Sequence, residues 1–321
     1  MTIVYICLCC QRKQVGTNKN HSFNERKIAL KVTKEPYVSV IIPVKNEGAL
    51  LKNTIESLNA VNTTVSFEII VVDDGSNDNC CEFIINNEYI KLTTTPGVGS
   101  AQARNNGAEI ASGKYLVFCD AHLSFEDYWL ENLLEPLING KADAVNPGIA
   151  DSVDLNNIGY GYTWDHKLDP KWNSEKHEPF YTPLLAGGCL AVSREIFCDV
   201  GGFEKKFKIW GREDEEFSLK LWLFGYRCMV QPNVKILHFF RPNNPPFQIT
   251  WEDLNWNFLR LAYSHFNQER INKCKSLIIY SDPLKIEEEL IASGIMEQRN
   301  HYMKRRKFDD NWFMEKFKVP F

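Results

Sequence analysis

The chain has 321 residues, 44% hydrophobic and 24% charged, with a net charge of −4. These values exclude a wholly disordered chain and argue against a dedicated nucleic-acid binder, which would show a net basic footprint. The length suits one large α/β domain with an appendage, or two domains, and either buries a sizeable core. No run approaches the ~20 apolar residues that cross a bilayer. The apolar stretch 3–10 lacks the flanks of a secretory signal. Ten cysteines are present. Among them Cys7 and Cys10 form a CxxC, but no second ligand pair follows at zinc-finger spacing. Reduced thiols in a cytoplasmic protein are therefore expected.

Residues 1–36 read as a lead-in, polar over 11–24. Residues 37–43 are a β-branched run of the kind buried on both faces of a sheet, ending in Val44-Lys45-Asn46-Glu47-Gly48. A helix follows, with Leu50, Leu51, Ile55 and Leu58 on one face. Residues 67–72 read as a second buried strand, stopped by Asp73-Asp74-Gly75-Ser76. Residues 78–86 are expected to be helical, 90–94 a short strand and 99–111 a helix. Residues 114–119 form a third strong strand, stopped by Asp120-Ala121-His122, and 125–138 a helix. This alternation implies a largely parallel sheet covered on both faces. Such sheets bind ligands beyond the carboxyl ends of their strands. Here those ends are Asn46-Glu47, Asp73-Asp74 and Asp120-Ala121-His122.

Past Ala142 the pattern changes. Residues 144–149 are a candidate strand, and 152–183 read as a long aromatic and polar loop. Residues 184–192 return to the core, Gly201-Gly202 marks a turn, 214–224 is a helix and 234–238 a strand. Amphipathic helices are expected at 251–266 and 286–307. The second ends in His301-Tyr302-Met303-Lys304-Arg305-Arg306-Lys307, either a solvated face or a peripheral membrane contact.

Asp120 and His122 sit at the end of a core-type strand, and a carboxylate with an imidazole suits a borderline ion such as Mn2+ or Zn2+. His238 ends another apolar strand and is either a third ligand or a satisfied core histidine. Asp73-Asp74-Gly75-Ser76 is either a plain turn or a place where a carboxylate accepts a nucleobase N–H. Gly97-Val98-Gly99 leads into a helix carrying Arg104, which either faces solvent or holds a phosphate. Gln102 stands where GxGxxG has its third glycine, which disfavours a dinucleotide fold. After Trp210-Gly211-Arg212 come Glu213, Asp214, Glu215 and Glu216. Acids suit a helix N-terminus, but four exceed the need of a cap, and one is a candidate general base.

With these residues in view, the chain resembles nucleotide-sugar-dependent glycosyltransferases of the GT-A fold. Residues 37–125 are similar to family 2 through Val40-Ile41-Ile42-Pro43-Val44-Lys45-Asn46-Glu47, Val71-Val72-Asp73-Asp74-Gly75-Ser76 and Ala103-Arg104-Asn105-Asn106-Gly107. Asp120-Ala121-His122 is similar to the metal motif of polypeptide N-acetylgalactosaminyltransferases. So are Leu185-Ala186-Gly187-Gly188, Trp210-Gly211-Arg212-Glu213 and His238-Phe239-Phe240-Arg241. The resemblance covers residues 37–245. It implies an α/β, Rossmann-like, mixed and mostly parallel sheet with helices on both faces, plus C-terminal helices. It divides the chain into the lead-in 1–36, a GT-A domain 37–245 and a helical extension 246–321. Within the domain, 37–125 is the nucleotide-binding half and 126–245 the acceptor and catalytic half.

The resemblance further implies that Pro43, Asn46 and Glu47 line the nucleoside pocket, that Asp74 meets the uracil, and that Arg104 lies near base and diphosphate. Asp120, His122 and His238 would bind Mn2+ (or Mg2+) with the diphosphate. Gly187 and Gly188 would let the sugar approach the backbone, with Trp210 on the donor side. Glu213 and Asp214 match the catalytic pair of family 2. The N-acetylgalactosaminyltransferases carry Asn at the place of Asp214 and retain anomeric configuration; family 2 enzymes invert it, with that Asp as base.

The expected function is metal-dependent transfer from a UDP-sugar (UDP-GalNAc, UDP-GlcNAc or UDP-hexose) to an acceptor on a peptide, protein, glycan or lipid-linked glycan. Tyr160, Tyr162, Trp164 and Trp172 either stack on sugar rings or pack the long loop. One alternative is a catalytically inactive nucleotide-sugar-binding protein, which the intact acids oppose. Another is a sugar-nucleotidyltransferase. That would need a Gly-rich basic loop where Val44-Lys45-Asn46-Glu47 has a single lysine.

Overall fold

The computed structural model describes residues 36–241 and 245–321; the lead-in, with its CxxC, lies outside the described residues. The β-branched runs make the middle of one ten-stranded sheet. β1 (Val38–Val44), β2 (Phe67–Asp73), β3 (Ile90–Thr94) and β4 (Tyr115–Cys119) are parallel, with β1 between β2 and β4. Alternate residues of β1 feed two separate cores, as the two-residue period of a strand requires. Ile41 joins one, and Val38, Val40, Ile42 and Val44 the other. The helix α1 (Ala49–Ala60) covers the second core with Leu51, Ile55 and Leu58; Leu50 is only partly buried. The helix α2 (Ser100–Glu109) covers the first.

The chain then turns through β5 (Leu123–Ser124), α3 (Trp129–Ile138) and β6 (Ala144–Asp151). The long stretch expected as a loop holds short β pieces: β7 (Ile158–Gly159), β8 (Tyr162–Trp164), β9 (Pro170–Trp172) and β10 (Phe180–Tyr181). β11 (Cys189–Ser193) lies antiparallel between β4 and β6. α4 (Arg194–Asp199), α5 (Glu213–Phe224) and β12 (Cys228–His238) follow, with β12 parallel to β6. The sheet order is β10-β12-β6-β11-β4-β1-β2-β3, and β5 pairs antiparallel with the end of β12.

Five helices close the chain: α6 (Trp251–His265), α7 (Gln268–Leu277), α8 (Pro283–Ala292), α9 (Ile295–Arg305) and α10 (Asp310–Phe317). Leu259, Ile271, Leu290, Ile295 and Phe313 from these helices share one core with Ile41 and Leu116 of the sheet.

Three expectations change. Residues 78–86 hold only a single 3-10 turn, Glu82–Ile84. Asp78 accepts the N–H of Cys80 and of Gly48, and Asn79 adopts a φ of 61°; such local bonds compete with helix formation. The expected helix 286–307 is two helices, broken where Ser293 bonds back to Leu290 O and Gly294 takes a φ of 82°. Its basic end is partly tied down: Arg305 pairs with Asp199 at the surface and Arg306 donates to His265 O at 3.2 Å, while His301, Lys304 and Lys307 are exposed. α7 and α10 were not anticipated, although Asn267 and Asp309 cap them with side-chain oxygens. Among the described residues, no helix is long and apolar enough to cross a membrane.

The seat of α2 on the sheet depends on Gly107. A Cβ there would stand 2.4 Å from Ile41 Cγ2 and 3.0 Å from Val72 Cγ2, both fixed in the core. Gly107→Ala is expected to cost about 1–3 kcal/mol by overpacking, despite the better helix propensity of alanine. Urea denaturation midpoints of the two proteins measure it.

Candidate active site

The carboxyl ends of β4 and β12 meet because β5 folds back to pair with β12, setting His238 opposite Leu123. That pairing brings His122 beside His238, with ring centroids 4.7 Å apart and planes at 82°. Asp120, His122 and His238 each offer one ligand atom, all within 4.8 Å of one another. Asp120 Oδ2 lies 3.4 Å from His238 Nε2. His122 Nδ1 lies 3.1 Å from Glu47 Oε2, which also accepts from Arg241, so the ring is oriented with Nε2 free. His238 Nδ1 is buried without a hydrogen-bond partner. One carboxylate and two imidazoles fit a borderline divalent ion. Burial works to raise the pKa of Asp120, but the His238 contact and the charges of Arg104, His122 and His238 outweigh it. The carboxyl is held well below its usual range.

The acid run lies across from this group. The loop leading into it is bent by positive φ at Ile209 (37°), Gly211 (102°) and Arg212 (72°). Buried Asn257 of α6 clamps that loop, accepting from Lys208 N–H at 2.7 Å and donating to the carbonyls of Lys208, Trp210 and Gly211. Each acid then has its own partners. Glu213 accepts from Ser100 (2.6 Å), Arg104 (3.1 Å) and Gly211 N–H (2.8 Å). Asp214 accepts from Gly187 N–H and Glu215 N–H, both at 2.9 Å. Glu215 accepts from Trp164 Nε1 and from Arg212 (2.8 Å). Glu216 binds His265 (2.8 Å) and Lys220 (3.1 Å).

Asp214 alone has no cation in contact. Burial and the charges of Glu213 and Glu215 push its pKa up to about 7, against the pull of Gly187 N–H and Arg104. A carboxyl poised there is suited to proton transfer near neutrality.

The structure gives several of the expected site residues partners within the protein. Arg104 does not face solvent. It is buried, with Nη2 3.0 Å from Asp120 Oδ1 and Nη1 3.1 Å from Glu213 Oε1. Asp74 is also buried; its carboxylate accepts from Val98 N–H (2.6 Å), Gly99 N–H (2.9 Å) and the Thr95 hydroxyl. A carboxylate has about four acceptor positions. Asp74 therefore shapes the 95–99 turn and keeps about one acceptor position. Glu47 belongs to the histidine pair. Asn46, at a φ of 56°, accepts Asn77 N–H and donates to Pro246 O at 3.0 Å, tying two loops together. Pro43 lies near the end of β1 opposite Val72, and Trp210 is 49% exposed in the loop before the acids.

Of the aromatics, Trp164 and Tyr160 are core residues. Trp172 is exposed and Tyr162 half-buried, their rings 4.2 Å apart. The Tyr162 phenol is kept protonated by burial and by the charges of Asp214, Glu215 and Asp120.

Four contributors were not singled out as site residues: Arg241, Ser100, Arg212 and Asn257. Arg241 and Arg212 lay inside quoted motifs. Asn257 carried no such signal; it lies on a polar strip of α6 with Asp253, Arg260 and Ser264.

Asp214 makes a prediction on stability. Its folded pKa is raised, so the folded state binds the extra proton and loses stability as pH rises from about 4 to about 7. Asp214→Asn lacks that loss. Relative to wild type it should therefore gain up to about 4 kcal/mol between pH 4 and pH 8. The check is chemical denaturation at both pH values with a chelator present. A difference independent of pH contradicts the raised pKa.

Comparisons with known proteins agree with this architecture. The chain is 33% identical over 252 residues to polypeptide N-acetylgalactosaminyltransferase 8 of Drosophila melanogaster, covering 72% of this chain and 42% of that protein. It is 31% identical over 231 residues to human polypeptide N-acetylgalactosaminyltransferase 14, covering 65% of this chain and 42% of the relative. The chain thus spans less than half the length of these relatives. The crystal structure of GalNAc-T7 with UDP, GalNAc and Mn2+ shares the fold, with a TM-score of 0.69 at 23% identity, over 89% of this chain and 57% of that one. A mannosyltransferase from Pyrobaculum calidifontis, in complex with GDP-Man and Mn2+, has a TM-score of 0.52 at 18% identity, over 85% and 75% of the two chains. The profile described as the N-terminal domain of galactosyltransferase matches residues 172–243. That of glycosyl transferase family 2 matches residues 39–201, just over half of the chain, and to that family the chain belongs.

Proposed function

We propose that this chain is a metal-dependent glycosyltransferase that moves a sugar from a UDP-sugar to a hydroxyl of a peptide or protein acceptor. One observation carries the reading. A metal-ligand group (Asp120, His122, His238) and a carboxyl with a pKa of about 7 (Asp214) flank a pair of glycines at the strand ends. The donor class draws support from relatives named as polypeptide N-acetylgalactosaminyltransferases and from a fold neighbour solved with UDP, GalNAc and Mn2+.

Asp120, His122 and His238 would hold Mn2+ or Mg2+. The ion's contribution is Lewis-acid neutralisation of the departing diphosphate. Gly187 and Gly188 leave the space between the two groups free of side chains. A Cβ at Gly187 would stand 3.1 Å from Asp214 Oδ2, and one at Gly188 3.2 Å from His238 Cδ2. Asp214 takes the acceptor proton as the nucleophile attacks the anomeric carbon. Glu213, spent on Ser100, Arg104 and Gly211, holds the loop instead. This division of roles favours inversion, with Asp214 as base. Tyr162 and Trp172 supply polar and stacking contacts on the acceptor side. A reducing, cytoplasmic setting belongs to the same proposal, supported by the cysteine usage of the sequence.

The test is UDP release over a panel of UDP-sugars and peptide acceptors, with and without Mn2+. Release from one donor, abolished by chelation, is expected. Asp214→Asn should lower turnover by about 10²–10⁴ while UDP affinity barely moves. His238→Ala should weaken UDP binding only when Mn2+ is present. No release from any UDP-sugar with either metal would sink the proposal. If Asp214→Asn stays active and Glu213→Gln does not, retention replaces inversion, and NMR of the product anomer decides.

A further inference from the structure

Asp120 has two carboxylate oxygens, and they point to different neighbours. Oδ2 lies 3.4 Å from His238 Nε2, on the side of the ligand group. Oδ1 lies 3.0 Å from Nη2 of Arg104. The other arm of the same guanidinium, Nη1, is 3.1 Å from Glu213 Oε1. The fork is braced at both ends. Glu213 is fixed by Ser100 and by Gly211 N–H. Arg104 follows α2, where the next residue, Asn105, exchanges hydrogen bonds with the backbone of Phe203 at 2.9 and 3.0 Å. Arg104 Nη2 also lies 3.4 Å from Gly187 O, beside the peptide N–H that holds Asp214. Its Nε is buried without a partner, a cost that packing alone gives no reason to bear.

Charge and geometry make opposite claims about this arginine. A fixed cation next to a ligand carboxylate repels a divalent ion, so charge alone says that losing Arg104 tightens metal binding. Geometry says that the planar fork holds the carboxylate in one presentation, which a point charge cannot do. We propose that Arg104 is a positioning residue whose fork reserves Asp120 Oδ1, so that the carboxylate meets a divalent ion through Oδ2 alone, while its other arm fixes Glu213 and with it the turn that carries Asp214. The metal site and the acid run are thereby one braced unit. This inference rests on the metal site of the proposal above but requires no turnover.

The experiment is titration of free Mn2+, read by its EPR signal, against the full chain without nucleotide: wild type, Arg104→Lys and Arg104→Gln. Thermal melts run alongside. Lys keeps the charge and loses the fork. A 10- to 100-fold weaker affinity is expected for both variants, as for loss of other groups that orient a ligand. Lys equal to wild type with Gln tighter than wild type would show a charge effect and overturn the positioning role. So would a lower melting temperature with unchanged Mn2+ affinity, which marks a merely structural arginine. If wild type itself binds no Mn2+, the metal site falls first and this inference with it. A crystal structure of wild type with Mn2+ serves if the variants do not fold. Asp120 bound through Oδ2, with Oδ1 still on Arg104, is expected; chelation by both oxygens, or Arg104 withdrawn, overturns it.

Discussion

Four adjacent carboxylates cannot share one environment: their mutual repulsion has to be answered separately for each. The first turn of α5 answers it by direction, since successive helical residues point about 100° apart. Glu213 is sent to Arg104 and Ser100, Glu215 to Trp164 and Arg212, and Glu216 to Lys220 and His265. Asp214 receives only backbone N–H groups. The three paired acids therefore fasten α5 to three parts of the molecule: α2, the 160–172 ribbon and the C-terminal helices. The unpaired one is the candidate base. Its neighbours' charges help raise its pKa, so the run that anchors the helix also sets the protonation of its one unpaired member.

The C-terminal helices are held to α5 by charge as well as by apolar packing. Glu216, Lys220 and His265 are all buried, and His265 stacks on Tyr302 with rings 5.4 Å apart. A second buried group joins Glu204 and Arg260 at 2.8 Å, with Gln298 bonded to both. Buried ions are costly to desolvate and punish the loss of any partner. They therefore specify one seat for these helices where apolar contact alone would accept several. That seat matters to the site because Asn257, on α6, shapes the strained loop before Glu213.

The sheet was legible because strands buried on both faces leave continuous β-branched runs, and residues 37–43, 67–72 and 114–119 are such runs. The metal-ligand group was legible because Asp120 and His122 follow one of those runs and His238 ends the apolar strand 234–238. Partners were not. Arg104 and Asp74 sit in motifs that say where a residue stands in the chain, not which atoms it meets. Arg104 turned out to face Asp120 and Glu213, and Asp74 its own 95–99 turn. The 78–86 segment misled because its apolar spacing is helical while Asp78 and Asn79 spend their side chains and backbone on a turn. Asn257 lay beyond reach for another reason. Its meaning is a contact with residues about fifty positions earlier, and spacing along one helix carries no trace of that.

The glycine pair gathers these constraints into a small space. Gly187 gives its N–H to Asp214 and has its carbonyl 3.4 Å from Arg104; Gly188 gives its carbonyl to the N–H of Asp120. One dipeptide thus ties the carboxylate of Asp214 to the backbone of Asp120, through one bond from main chain to side chain and one between main chains. A side chain at either position would meet Asp214 or His238 before it met a substrate. The turn that leads into β11 therefore helps to space the Asp214 carboxyl from Asp120, and the missing Cβ atoms leave the room beside them. A site built this way admits variation in what flanks it, such as Tyr162, Trp172 and Trp210. It allows very little at Gly187 and Gly188 themselves.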